Sequence, residues 1–171
     1  MWIFESGMFD HVRTKDKLIG IGILMGPLIA LLAAGAIFLA PEPFDRKLLW
    51  GCYTADRAPS LEITQANIRV FQNEVPPFVY TAEPSKTGYR MVVQTPFELA
   101  KGNNGIYDFR QAFGVPSYDW TLLAIKKGDL KREFRQPREF SGLIQVASRD
   151  YETIIYARDA TGSHCQSKGA I

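Results

Sequence analysis

The sequence predicts one N-terminal transmembrane α-helix followed by an all-β domain, and three observations carry that prediction. From Leu18 to Ala40, "LIGIGILMGPLIALLAAGAIFLA", 23 residues pass without a charge. From about Lys47 onward, short runs rich in Ile, Val, Tyr, Phe and Thr alternate with turn residues. Two cysteines, Cys52 and Cys165, stand near the two ends of that second region.

Residues 1–17 make a separate N-terminal segment. In "MWIFESGMFDHV", Phe4, Met8, Phe9 and Val12 fall near one face of a helix, with Arg13, Lys15 and Lys17 following. That pattern fits a helix lying along the cytoplasmic membrane surface. A frayed but apolar terminus explains it equally well.

Residues 18–40 are the expected span. At a rise of about 1.5 Å per residue they cover roughly 30 Å or more, the thickness of a bilayer's hydrocarbon core. The competing reading, a buried core helix, rarely stays uncharged for so long. Ala34-Gly35-Ala36 has the small-x-small form of a signal-peptidase site. The apolar run, however, exceeds the usual cleaved core of about 7–15 residues, which favours a retained signal-anchor. Arg13, Lys15 and Lys17 precede the span and only Arg46 and Lys47 follow it closely. By the positive-inside rule the N-terminus stays in the cytoplasm and the rest is exported, into the periplasm for a bacterial inner membrane.

Residues 41–46 form a short linker in which Pro41 and Pro43 prevent the helix from running on. Residues 47–171 then read as the extracytoplasmic β-domain, with eight or nine antiparallel strands. "NIRVF", "PFVYTA", "YRMVVQT", "WTLLAIKK", "GLIQVAS" and "YETIIYAR" are the clearest runs. Ile68 and Val70 face one way, Arg69 and Phe71 the other. In "FELAKGNNGIYDFRQAF" helix propensity competes with a hairpin. A β-domain of this size manages its sheet edges as a small antiparallel barrel or a sandwich. The barrel is preferred, because cysteines near both ends bring the first strand beside the end of the last. In strand number and in its Gly51-x-Tyr53 opening the region resembles lipocalin-like barrels. The glycine-x-tryptophan signature of that family is absent in that form, so the resemblance implies architecture and carries over no binding residues.

Cys52 lies in "KLLWGCYTA". A lipid attachment box needs the cysteine directly after the apolar stretch and a small or aliphatic residue two positions before it; here "PEPFDRK" intervenes and Trp50 holds that position. With two cysteines and two histidines in the chain, a four-ligand structural zinc site is not supplied either. A Cys52–Cys165 disulfide in an oxidising compartment is the remaining reading. Closing a loop of that length is worth about 4–5 kcal/mol as an upper figure in the chain-entropy model.

Candidate chemistry is sparse, and no catalytic residue, cofactor or metal ligand is assigned. Net charge is only +2, so no field advertises nucleic acid as a partner. His11 precedes the span, His164 sits in an irregular tail, and no glycine-x-serine-x-glycine elbow appears. Asp108, Asp119, Glu133, Glu139, Asp150 and Glu152 suit carboxylate chemistry by type alone, and their spacing selects no pair. The stretch "KKGDLKREFRQPRE" carries Lys126, Lys127, Lys131, Arg132, Arg135 and Arg138 against three acidic residues. It fits a contact for anionic lipid or an acidic partner, or a solvated hairpin whose charges discourage aggregation, and the mixed signs favour the latter.

The sharpest signal lies within the expected span. Gly22, Gly26, Ala30 and Ala34 recur every four residues as a stripe of minimal side chains, with Leu24, Leu28, Leu31 and Leu32 opposite. In lipid, such a stripe permits the close backbone approach on which helix association depends. The expectation is a non-enzymatic, single-span accessory subunit of a respiratory or photosynthetic type of membrane complex. It docks in the bilayer through that stripe, against other integral subunits or a second copy. The alternative is a membrane-tethered lipocalin-like module holding a small apolar ligand, with Trp50, Tyr53, Phe78, Tyr80, Trp120 and Tyr156 lining its cavity.

Overall fold

In the computed structural model of the chain, the described residues are 25–32, 35, 41–112, 114 and 118–166. The segment 1–17 lies outside them, as does most of the expected span 18–40. Residues 25–32 are helical, with Met25, Leu28, Ile29, Leu31 and Leu32 exposed. Among the described residues, no helix is long and apolar enough to cross a membrane.

From Pro41 the described residues form an all-β unit of eleven strands. Eight of them build the wall: β1 (Gly51–Ala55), β2 (Ala58–Ile63), β3 (Ile68–Val70), β4 (Val79–Pro84), β5 (Tyr89–Gln94), β8 (Tyr118–Lys126), β10 (Phe140–Ala147) and β11 (Thr153–Asp159). Their order in the sheet is β3-β2-β1-β11-β10-β8-β5-β4, with every pairing antiparallel. Each wall strand therefore neighbours the wall strand before and after it. The one long-range seam is β1 with β11, where Tyr53 stands opposite Arg158. On the remaining side Ile68 and Phe78 exchange two backbone N–H···O bonds of 2.8 Å, joining β3 to the residue before β4. The result is a nearly closed antiparallel barrel rather than a sandwich.

The inner face follows from strand alternation. Tyr53, Leu61 and Val70 align across β1, β2 and β3. Met91 faces Trp120, and Leu122, Ile144 and Tyr156 align across β8, β10 and β11. All of these are buried, in one cluster with Phe78, Tyr80 and Tyr89. At the eight-strand size a barrel interior is just wide enough for side chains to fill.

The other strands are excursions from this wall. β6 (Phe97–Lys101) and β7 (Tyr107–Gln111) form a hairpin between β5 and β8, so strand pairing wins over helix propensity in that ambiguous stretch. β9 (Asp129–Lys131) pairs back on the end of β8. The N-terminal approach, residues 41–50, is not extended: Asp45 caps a short 3-10 turn at Arg46–Leu49 and Phe44 and Leu49 are buried in the core cluster. The end of the barrel that receives this segment is termed proximal here, and the opposite end, covered by the β6–β7 hairpin, distal.

Candidate docking surfaces

At the proximal end the approaching chain acts as a plug. The Phe44 ring lies 5.1 Å from that of Tyr89 and 5.8 Å from that of Phe140, and Phe134 reaches Tyr89 at 5.2 Å. Wall side chains bond the plug's backbone. Tyr89 donates from one hydroxyl toward the Glu42 and Arg135 carbonyls (2.8 and 2.9 Å), and Tyr53 donates to the Leu49 carbonyl (2.8 Å). Arg158 donates to the Leu48 carbonyl and to the Tyr53 hydroxyl, with its guanidinium over the Tyr53 and Phe140 rings. Burial pushes the Tyr53 phenol above its usual range, against the lowering effect of Arg158.

Around the plug stands the basic stretch. The β8–β9 hairpin turns at Lys127 (φ 54°) and Gly128 (φ 85°), the left-handed pair that a two-residue type I′ turn requires. Ile125 and Leu130 pair directly across this hairpin and are 53% and 48% exposed. Lys126 meets Glu139 at 3.3 Å and Lys131 meets Asp129 at 3.4 Å. The Glu139 carboxylate also accepts from the backbone N–H groups of Arg135 and Gln136. Partial burial raises its pKa, but these donors and Lys126 outweigh that and hold it below the usual carboxylate value. β9 ends at Lys131, so Glu133 and Arg135 do not continue its face, and Phe134 turns in to fill the core.

The distal end is covered differently. Beneath the β6–β7 hairpin Phe97 stacks on Phe78 and Phe109 meets it edge-on, and Phe109 lies 6.2 Å from Trp120. The hairpin's margins are stitched by strand-like bonds. The Gln72 amide accepts from the Phe109 N–H (2.8 Å) and donates to the Phe109 carbonyl (2.9 Å), imitating a neighbouring strand. Tyr107 N–H bonds to the Arg57 carbonyl (2.7 Å), and Arg149 N–H to that of Leu99 (2.8 Å). Glu152 accepts from Lys101 (2.8 Å) and from the Tyr107 hydroxyl, and these two bonds, Lys101 first, hold its carboxyl below the usual range. Beside this cap an open groove of about 1040 Å³ runs past Arg57, Pro59, Arg69, Phe71 and Val75. Tyr151, 95% exposed, projects from the β10–β11 turn.

Cys52 and Cys165 stand at disulfide distance, with their Cα atoms 5.9 Å apart. The bond lies on the outside of the wall, since Tyr53 takes the inner position beside Cys52. Of the four small residues proposed for helix packing, Gly26 and Ala30 fall on the described helical stretch, where nothing lies within 4 Å of a Cβ built at Gly26. Gly22 and Ala34 lie outside the described residues, as does the side chain of His164.

The aromatics considered as cavity lining come together, but as packing: Tyr53, Phe78, Tyr80, Trp120 and Tyr156 share the core cluster, while Trp50 is half-buried beside it. Tyr156, with Trp50 Nε1 and Arg90 Nε, is an exception to a satisfied interior. Its hydroxyl is buried with no hydrogen-bond partner among the described residues, and burial drives its pKa far up. The candidate carboxylates are dispersed. Asp119 pairs with Arg90 (2.7 Å), which also meets Glu83 (3.5 Å), and Asp108 meets Arg110 (3.9 Å). Among the described residues no three His, Cys, Asp or Glu side chains gather as a metal site. Missed in the sequence were the plug and its clamp, Phe44 with Tyr53, Tyr89 and Arg158; nothing local marks residues a hundred positions apart as partners. Compared with known families, curated proteins and solved structures, the chain has no significant match.

Proposed function

We propose that this chain is a non-enzymatic, single-span accessory subunit of a bacterial inner-membrane complex of respiratory or photosynthetic type. Its apolar segment 18–40 docks among other membrane helices and its β-barrel packs on the periplasmic face. The observation that carries this reading is a barrel filled by its own side chains and closed at both ends by its own chain. Such a body works through its outer surface, and the uncharged run before it supplies a reason to sit at a membrane. Gly22, Gly26, Ala30 and Ala34 are the residues assigned to docking in the bilayer.

The test is mild-detergent extraction of the native protein from its own membranes, identifying whatever co-migrates. A large particle of defined subunits is expected, and Gly22→Leu with Gly26→Leu should deplete it of this chain while the barrel stays folded. A lone monomer or dimer would overturn the reading.

A second reading, a tethered module for a small apolar ligand, is favoured by the unpartnered Tyr156 hydroxyl deep in the barrel. It predicts ligand-dependent tryptophan fluorescence from Trp120, which lies in the same buried cluster.

A further inference from the structure

The geometry points to the proximal end as a surface that seats on anionic lipid headgroups, with Ile125 and Leu130 entering the headgroup boundary; the inference rests on the membrane-anchored reading above. Three observations converge on this end.

The first is the exposed cross-strand pair at the hairpin. Ile125 and Leu130 leave about half their surface uncovered and stand side by side at a two-residue turn, forming a small contiguous apolar patch. The second is charge. Between residues 126 and 139 six basic residues face three acidic ones, and two of those, Asp129 and Glu139, are taken up by Lys131 and Lys126. Lys127, Arg135 and Arg138 carry no ion pair among the described residues. Lys86 joins them from the β4–β5 turn, which borders Pro41. Around the distal cap, by contrast, the acidic Asp56, Glu98, Asp108, Asp150 and Glu152 offset the arginines and Lys101.

The third observation is reach. Phe44 is buried in the barrel, and the uncharged run ends at Ala40. Four residue steps extend at most roughly 14 Å. A membrane-spanning run would leave no more than that length of chain before Phe44, against the roughly 8–10 Å over which headgroup attraction decays. Each Lys or Arg near an anionic leaflet strengthens binding about fivefold. An acidic protein face satisfies the charges but gives the apolar pair and the short tether no explanation, so lipid is favoured.

The test uses the full chain reconstituted into phosphatidylcholine vesicles with and without 30% phosphatidylglycerol. Ile125→Trp serves as reporter, read against the parent chain and quenched by brominated acyl chains. Extra quenching is expected in the anionic vesicles. It should fall sharply in K127Q/R135Q/R138Q, with resistance to carbonate extraction and circular dichroism unchanged. No extra quenching in a carbonate-resistant chain overturns the inference and leaves the anchor standing. If carbonate extracts the chain, the anchor fails separately and co-sedimentation decides. Binding to anionic vesicles that drops on the order of a hundredfold in the triple variant upholds the inference; no binding overturns it. Quenching that ignores the three charges, while the triple variant loses an acidic protein on co-purification, also overturns it.

Discussion

At the proximal end an irregular stretch of backbone is held by side chains that reach out from the wall: Tyr53, Tyr89 and Arg158 each grip a carbonyl of residues 42–49. At the distal end a regular hairpin is held largely by backbone groups, with Gln72 standing in for a strand that is not there. Both closures rest on aromatic rings, so the apolar burial is alike. What differs is the source of position. A side-chain clamp depends on a few residue identities, whereas a strand-like seam needs only the pleat and one amide to complete it.

The largest effect that separates the two ends should come from Phe44→Ala. Removing a buried phenyl typically costs about 3–5 kcal/mol. Urea unfolding should report that loss, and hydrogen exchange should rise in the β4–β5 turn and residues 132–136 while the β6–β7 hairpin stays protected. Equal deprotection at both ends would mean that the closures are one cooperative unit. Gln72→Ala should destabilise the opposite end, and more weakly, by about 1–3 kcal/mol, leaving the Phe109 N–H and carbonyl without their partner. Exchange at Phe109 and its β7 neighbours should quicken, with the plug unaffected.

The smallest effect is one of pH. The bonded Glu152 carboxyl is held below its ordinary value, so its contribution is complete above about pH 4.3 and fades as pH falls through the folded-state pKa. Glu139 gives the proximal end an acid response of the same sign. Glu152→Gln should therefore flatten the distal response alone. Exchange measured between pH 3 and 6 distinguishes the two, and a proximal change in that variant would sink the assignment.

The same contrast explains what was legible in the sequence. Wall strands announce themselves because alternation is local: Ile68, Arg69 and Val70 show it in three residues, and Arg69 folds back over the Phe71 ring at 5.1 Å on the outer face. The nearness of Cys52 to Cys165 was legible from elimination, and with it that of β1 to β11. The β6–β7 hairpin was legible only as an ambiguity, since Leu99 and Phe109 are buried by the barrel end beneath them and not by the hairpin itself. The plug was illegible because its partners lie far along the chain, Arg158 being 110 positions from the Leu48 carbonyl it binds. Gly88 belongs to the same class: a Cβ there would collide with the Arg132 carbonyl, which no local pattern announces.

The seam between β1 and β11 also sets an order of events in folding. Every other wall contact joins strands that are consecutive along the wall, with only the β6–β7 hairpin and β9 intervening, so each pairing can form as soon as its second strand exists. The barrel cannot close until Thr153–Asp159 has been made, because Gly51–Ala55 pairs with β2 on one edge and with that strand on the other. Until then β1 presents one unpaired edge. The cysteine bond sits beside this seam and ties the residues after β11 to β1. A bond between these two cysteines would make permanent the one contact that the chain has to wait for.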